Sequence, residues 1–209
     1  MATTSLNWAE RLAWIAKTNL GWIVGTLAGG VLLGVAPATV AAYDACRKSL
    51  RGDDRPFAAL FLRAYRAEFW RANALLLPTI AVSVLVAGSM RFALIVTTLA
   101  WLVVVPVAAV LAAALAFLVP LYVHYDLPHR RYPAVASRFV IANPGPALLM
   151  LLTLAGVAIA TVLLPGLLPF LSIGAWIQLS TALSLSFFAS NDDRVAARDA
   201  VTTPDGVVR

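Results

Sequence analysis

Long apolar runs, separated by short charged segments, dominate the pattern along the chain. Residues 139–191 contain no Asp, Glu, Lys or Arg. A membrane-spanning helix needs about 20 mostly apolar residues, so this interval alone has room for two. The whole pattern predicts an all-α polytopic membrane helical bundle of about five transmembrane helices. The predicted spans are residues 20–36, 72–88, 92–123, 147–164 and 168–188.

The third predicted span is longer than a bilayer requires. Its roughly 32 residues are too few for two spans and a turn, because each span takes about 20 residues. The sequence therefore predicts one tilted or kinked helix that bends at Pro106 and Pro120, since proline removes a backbone donor and clashes with the preceding turn. Residues 88–91 and 164–169 are predicted to be tight turns between antiparallel spans.

The composition also indicates a membrane protein. The chain is 61% hydrophobic and 12% charged, which is about half the charged fraction of a soluble domain. Its net charge of +6 does not predict a nucleic-acid partner, because basic loops in membrane proteins report orientation and contact with anionic lipid. The single cysteine, Cys46, cannot form a disulfide within the chain.

The distribution of basic residues predicts an orientation for the five spans. Of the 16 Lys and Arg residues, all except Arg11, Lys17 and Arg91 fall on one side of the membrane. Because basic residues accumulate in cytoplasmic loops, the N-terminus is predicted to lie outside and the C-terminus inside.

The segment after the first predicted span has two interpretations. Ala36 and Ala38 match the cleavage site of a signal peptide. Cleavage would leave the basic segment outside, and the apolar run is longer than that of a typical signal peptide. We therefore favour a new helix that begins at Pro37, in which Asp44 and Lys48 form an i,i+4 ion pair.

Small residues recur at four-residue steps in and just after the first predicted span. This spacing puts them on one helix face and lets another helix approach closely. Packing within one chain is the favoured interpretation, and a homodimer is the alternative that stays open. The predicted helix-packing residues are Gly21, Gly25, Gly29, Gly30, Gly34 and Pro37.

Residues 38–71 are predicted to form a cytoplasmic helical hairpin. In its second helix aromatic residues recur every four positions from Phe57 to Phe69, and arginines lie largely opposite. The arginines suit either lipid headgroups or a docked partner, and both interpretations stay open. A further helix, residues 5–18, is predicted to lie at the outer interface. The candidate partner-binding residues are Arg47, Lys48, Phe61, Arg63, Arg66 and Phe69.

Catalytic and metal-binding patterns are weak in this sequence. It contains no phosphate-binding loop, zinc-protease or serine-hydrolase motif, and no ionisable residue lies in the middle of a predicted span. His124, Asp126 and His129 have metal-ligand chemistry, but a loop leaving the membrane explains them as well. The sequence therefore predicts no catalytic site, no metal and no cofactor.

Three segments resemble a known family. The run "PATVAAYDACRKSLRGDDRPFAALFLRAYRAEFWRAN" (residues 37–73) resembles the signature of the YesL-like family of bacterial integral membrane proteins of unknown function. The runs "VPLYVHYDLP" and "VIANPGPALLMLL" are similar to later segments of that family. The resemblance covers roughly residues 20–188, within a predicted single domain of residues 1–190. The tail, residues 191–209, is predicted to be disordered.

The resemblance implies a cellular context but no mechanism. Members of the family are often encoded with carbohydrate ABC-transport and glycan-utilisation systems. We therefore expect a non-enzymatic multi-pass protein of the bacterial inner membrane that acts as an accessory or regulatory partner in carbohydrate uptake or sensing. Its expected partners are membrane lipids and a carbohydrate ABC-transporter permease or other membrane partner, and not nucleic acid.

Two other functions stay open at the level of the sequence. A small uncoupled solute channel or carrier would need a polar path through Thr79, Ser83, Ser180 and Ser184. A membrane-embedded enzyme would need convergent ionisable groups near the inner face. The candidates for that role are His124, Asp126 and Asp192.

Overall fold

The computed structural model describes the backbone of residues 2–202, with side chains for residues 9–97, 99–167 and 170–191. Its helices are α1 (Ala2–Ala28), α2 (Leu32–Leu50), α3 (Phe57–Val96), α4 (Trp101–His124), α5 (Tyr132–Ala142), α6 (Pro144–Leu163) and α7 (Ile173–Thr202). Short 3-10 and π turns join several of them, and the described backbone contains no strand. The prediction of an all-α bundle is confirmed.

Within the part of the chain that the structure describes, four helical segments are long and apolar enough to cross a membrane. They are α3, α4, α6 and the stretch Phe170–Asn191, which includes most of α7. The last two coincide closely with predicted spans 147–164 and 168–188, and the chain turns between them as the sequence predicts. The protein is therefore a polytopic helical bundle.

The predicted first span, residues 20–36, is not one helix. The chain turns at Gly29–Val31, where Gly30 and Val31 have φ values of 71° and 65°. Gly30 adopts its positive φ without steric cost, whereas Val31 is a β-branched residue in a region that favours glycine. Beyond it α2 runs back along α1, and Trp22 Nε1 donates to Thr39 Oγ1 over 2.9 Å. A hairpin has both ends on one side, so it removes the basis for an N-terminus outside.

The boundary between the predicted second and third spans was also wrong. Residues 88–91 do not form a turn, because α3 continues through them to Val96. Ser89 Oγ donates to the Leu85 carbonyl of the same helix, as hydroxyls commonly do in apolar helices. The helix ends at Thr97, whose backbone is extended at φ −147° and ψ 135°. Residues 92–123 are therefore the end of α3, a short turn and α4.

Pro37 lies inside α2 rather than at the start of a helix. Its ring nitrogen cannot donate to the carbonyl of Leu33, one turn earlier, which leaves that carbonyl without its helical partner. Asn73 Nδ2, on α3, donates to the Leu33 carbonyl over 2.9 Å. A side chain from the neighbouring helix thus replaces the missing donor, and the proline can stay in the helix interior.

Both predicted terminal segments belong to longer helices. Residues 5–18 are the first part of α1, and Trp14 packs edge-on against Phe57 at 5.5 Å between ring centroids. The tail was predicted to be disordered from residue 191, but α7 continues to Thr202. Residues 203–209, and the side chains of Asp192 and Asp193, lie outside the described part of the chain.

Candidate functional site

The glycines of α1 and the aromatic residues of α3 form one packed face. A Cβ atom on Gly21 would lie 2.6 Å from the Phe57 ring, and one on Gly25 would lie 2.9 Å from the Phe61 ring. The Tyr65 hydroxyl donates to the Gly25 carbonyl over 2.8 Å. Only residues without a side chain leave room for these rings, so the glycine and aromatic repeats are complementary.

The other predicted packing residues lie close to the turn between α1 and α2. A Cβ atom on Gly29 would lie 2.3 Å from the Cα of Gly34, and one on Gly34 would lie 2.1 Å from the Thr26 carbonyl oxygen. Gly30 has no atom within 4 Å of such a position, and its contribution is the positive φ of the turn. Pro37 is buried in α2.

Because the aromatic face of α3 packs against α1, a partner cannot reach all of the aromatic residues that the sequence predicted for docking. Phe61 is only 8% exposed, so its ring is not available for docking. Phe69 is half-buried, with its ring centroid 5.7 Å from Tyr65 and 5.2 Å from Trp70. Arg63 and Arg66 lie exposed on other faces of α3, and neither forms an ion pair with a described residue.

A charged cleft of about 630 Å³ opens between α2, the first half of α3 and the end of α4. It is continued by the loop that leads into α5. Its charged and aromatic lining residues are Asp44, Arg47, Lys48, Arg63, Glu68, Arg71, Tyr122, His124, Tyr125, Asp126, His129 and Tyr132. This volume falls in the range of about 300–1,000 Å³ that is usual for small-molecule sites.

Two carboxylates of the charged cleft are already engaged by neighbouring side chains. Asp44 forms ion pairs with Arg47, at 3.3 Å, and with Lys48. Glu68 accepts a hydrogen bond from the Tyr122 hydroxyl over 2.5 Å. Arg71 lies 4.0 Å from Glu68, which is the outer limit of an ion pair. With Asp126 as the third carboxylate, four Lys and Arg residues line the cleft against three Asp and Glu residues, an excess of one positive charge.

Aromatic rings form the wall near the α4–α5 loop. Tyr122 stacks on His129 with ring centroids 5.9 Å apart, and Tyr132 meets Tyr122 edge-on at 5.1 Å. The Tyr132 hydroxyl donates to the Tyr125 carbonyl and accepts from the Leu127 amide, which holds the loop in place. Burial raises the pKa of Tyr132 above its ordinary value, so its hydroxyl is less acidic than that of an exposed tyrosine.

The two histidines have different surroundings. His124 Nδ1 lies 3.3 Å from an Arg51 nitrogen, and its ring packs on Phe188 at 4.8 Å. His129 stacks on Tyr122 instead. Within the described residues, no three His, Cys, Asp or Glu side chains come together as metal ligands.

The polar residues considered for a solute path do not line a common passage. Thr79 and Ser83 each donate to a carbonyl of their own helix, α3. Ser180 lies 2.8 Å from the Tyr43 hydroxyl in the buried core. Ser184 borders a cavity of only about 10 Å³. The described residues thus offer no continuous polar path through these four side chains.

The structure brings together only part of the predicted partner-binding set. Arg47, Lys48 and Arg63 line the charged cleft, whereas Arg66 does not. The sequence pattern did not indicate most of the acidic and tyrosine residues of the cleft. The spacing of Ala64, Glu68 and Arg71 puts them on one helix face and could have indicated the wall that α3 contributes. The wall from α4 and its loop depends on tertiary packing.

Comparisons with known proteins give a family. The family profile described as "Protein of unknown function, DUF624" matches residues 15–90. The uncharacterized protein YesV of Bacillus subtilis (strain 168) is 36% identical over 168 residues, which cover 77% of this chain and 80% of YesV. The chain belongs to the DUF624 family. The predicted resemblance to YesL-like proteins of unknown function is confirmed.

Two other relatives support membership of the DUF624 family along most of the chain. The uncharacterized protein YesL of Bacillus subtilis (strain 168) is 28% identical over 190 residues, covering 90% of this chain and 89% of YesL. The uncharacterized protein YteU of the same organism is 30% identical over 174 residues, covering 80% and 78%. No solved structure matches the chain. The DUF624 match includes α2 and much of α3, two of the elements that form the charged cleft.

Proposed function

We propose that this DUF624 protein is a non-enzymatic integral membrane protein that acts as an accessory or regulatory partner in carbohydrate uptake or sensing. The carbohydrate context comes from the resemblance to YesL-like proteins. The partner would be a carbohydrate ABC-transporter permease or another membrane protein of such a system. The exposed arginine face of α3 would make the contact.

The observation that carries this proposal is the pair of arginines without a carboxylate. Arg63 and Arg66 are exposed and form no ion pair with a described residue, whereas Arg47 and Arg55 each lie beside an aspartate. A guanidinium offers a planar fork that suits carboxylates and phosphates. An acidic partner surface would supply the missing acceptors.

The surroundings of these arginines favour a protein partner. Leu62 is 46% exposed, and it lines a shallow groove with Ala59, Ala67 and the two arginines. Arginine is enriched at binding hot spots, and a docked partner would also bury the exposed apolar surface of Leu62. Lipid headgroups offer the same anionic chemistry, so an experiment has to separate the two.

The proposed orientation puts the charged cleft and the arginine face in the cytoplasm. With α1 and α2 as a hairpin on one side of four spans, every Lys and Arg of residues 2–202 except Arg91 falls on that side. This bias is stronger than the five-span arrangement gives. Basic residues favour the cytoplasmic side, here of a bacterial inner membrane.

Affinity purification from native membranes tests the docking proposal. Changing both Arg63 and Arg66 to lysine keeps the attraction to anionic headgroups, about 1 kcal/mol per cation, but removes the planar forks. We expect a sugar-permease partner to copurify with the wild type and to be lost from this double variant. Equal recovery from both proteins would refute docking through arginine and leave lipid contact as the explanation.

A matched control uses two other exposed arginines. Arg130 and Arg131 lie in the short 3-10 turn before α5 and outside the groove that Arg63 and Arg66 line. Changing both of these to lysine should leave recovery of the partner unchanged. If this control variant also loses the partner, the loss reports a general effect of replacing arginine and the assignment to α3 fails.

A further inference from the structure

We propose that the charged cleft binds a small polyhydroxylated anion, a sugar that carries a carboxylate or a phosphate group. The choice of a sugar rests on the proposed role in carbohydrate uptake or sensing. The choice of an anion rests on the cleft itself, which shares Arg63 with the proposed docking face but includes Arg71 and excludes Arg66.

The balance of charge in the cleft carries the anion assignment. Asp44 is matched by two basic side chains of its own helix, and Glu68 accepts from Tyr122. Arg63 has no described carboxylate partner, and Arg71 reaches one only at 4.0 Å. An anion held between these two arginines would gain charge-assisted hydrogen bonds that the folded chain leaves unmade.

The remaining walls suit the hydroxyl groups and the apolar face of a sugar. Tyr122 and His129 present stacked rings beside the charged groups, and an aromatic ring next to polar side chains accommodates the C–H face of a pyranose. Asp126 is exposed and lines the cleft, where its carboxylate can accept hydrogen bonds from hydroxyls. The volume, the charge and the aromatic surface of the cleft thus all suit the same class of ligand, an acidic sugar.

Binding is measured on the purified protein in nanodiscs of neutral phosphatidylcholine, so that no protein partner is needed. Titration calorimetry with galacturonate, glucose 6-phosphate, glucose and inorganic phosphate compares the relevant chemistries. We expect at least one of the acidic sugars to bind about tenfold or more tightly than either glucose or inorganic phosphate. Glucose binding as tightly as the acidic sugars would overturn the anion assignment, and phosphate binding as tightly would overturn the sugar assignment.

Single substitutions on α3 locate the site. Arg71→Gln should weaken binding of the acidic sugar about tenfold or more, and Glu68→Gln, which removes a competing carboxylate, should strengthen it. Arg66→Gln makes the same change of charge on the same helix but outside the cleft, and it should leave binding unchanged. An Arg71→Gln protein that melts like the wild type and binds as tightly would overturn the proposal.

Two further experiments distinguish the sugar site from a lipid-headgroup site and from the proposed docking face. If added phosphatidylglycerol abolishes sugar binding, and wild type but not Arg71→Gln retains that lipid through purification, the cleft is a headgroup site and the sugar proposal fails. In the copurification assay, Arg66→Gln should lose the protein partner while keeping the sugar, and Arg71→Gln should do the reverse. Failure of the docking proposal and failure of the ligand proposal are therefore distinguishable.

Discussion

The two halves of α3 belong to one continuous helix but are held by different surroundings. Residues 57–76 pack against α1 and α2, and their buried side chains include Phe57, Leu60, Phe61 and Ala64. In residues 77–96 no described side chain is buried within the protein. The first half is specified by individual contacts, whereas the second needs only enough hydropathy to remain in a bilayer. Substitutions should therefore be costly in one half and tolerated in the other.

The largest difference in stability is expected between alanine substitutions of a glycine in the packed region and of a glycine in the open region. A methyl group on Gly34 would lie 2.1 Å from the Thr26 carbonyl oxygen, and a backbone atom cannot rotate away. We expect Gly34→Ala to lower the free energy of unfolding by about 3 kcal/mol or more. Gly88 has no atom within 4 Å, so Gly88→Ala should be neutral or stabilising by up to about 1 kcal/mol.

Thermal unfolding in detergent measures both glycine variants. A clear drop in the unfolding midpoint for Gly34→Ala alone would support close packing of α1 on α2. Similar midpoints for the two variants would mean that the hairpin is not packed as closely as described.

A smaller difference is expected for polar side chains in the two halves. Pro37 cannot donate to the Leu33 carbonyl, so Asn73→Leu would leave that carbonyl without a donor. This substitution should lower the free energy of unfolding by about 1–2 kcal/mol. In a Pro37→Ala background the restored N–H can donate to that carbonyl, so the same substitution should cost less. Thr79→Val removes only a bond to the Leu75 carbonyl of its own helix and should change stability by under about 0.5 kcal/mol.

A double-mutant cycle on Pro37 and Asn73 tests this coupling by denaturant unfolding in mixed micelles. Equal costs of Asn73→Leu with and without the proline would show that Asn73 does not replace the donor that the proline lacks.

The burial of Cys46 should also make the free energy of unfolding depend on pH. Burial raises the pKa of Cys46 from its ordinary value to about 11, although the contact with the Thr18 hydroxyl lowers it in part. The folded state thus holds the thiol proton more tightly than the unfolded state. The stabilisation is complete below pH 9 and is lost between pH 9 and 11.

Comparison with Cys46→Ala isolates this contribution. Between pH 8 and 10 the wild type should lose about 1 kcal/mol more of its free energy of unfolding than the variant loses. Tyr43, whose pKa burial also raises, is present in both proteins and cancels in the difference. Parallel pH profiles would show that water reaches the thiol in the folded protein.

The side of the membrane that each loop faces can be tested with substitutions that are not expected to change stability. Cys46 is fully buried and cannot report which side it faces, so reporter cysteines belong at exposed positions in a Cys46→Ala background. A membrane-impermeant maleimide on intact cells should label Thr97→Cys and spare both Ala9→Cys and Asp126→Cys. Labelling of Ala9→Cys would restore the five-span arrangement with the N-terminus outside, provided that all three cysteines react in lysed cells.

The sequence alone determined the class of the protein. Apolar runs of bilayer length specify helices whatever surrounds them, because a backbone in lipid must satisfy its own hydrogen bonds. The glycine repeat likewise predicted a helix face of small residues in residues 21–29, and the aromatic repeat predicted an aromatic face in residues 57–69. The family resemblance followed from the order of motifs that these segments contain.

Tertiary structure decided where the helices begin and end and which residues form the charged cleft. Hydropathy cannot show that the chain turns back at residues 29–31, because the turn depends on the close packing of α1 on α2. Hydropathy also cannot show that α3 continues through Gly88, because glycine is compatible with a turn as well as with a helix. It also cannot pair Pro37 with Asn73, or join Glu68 to Tyr122 across 54 positions of sequence. A helical repeat relates residues one or two turns apart, and only the packing of helices brings distant side chains into one site.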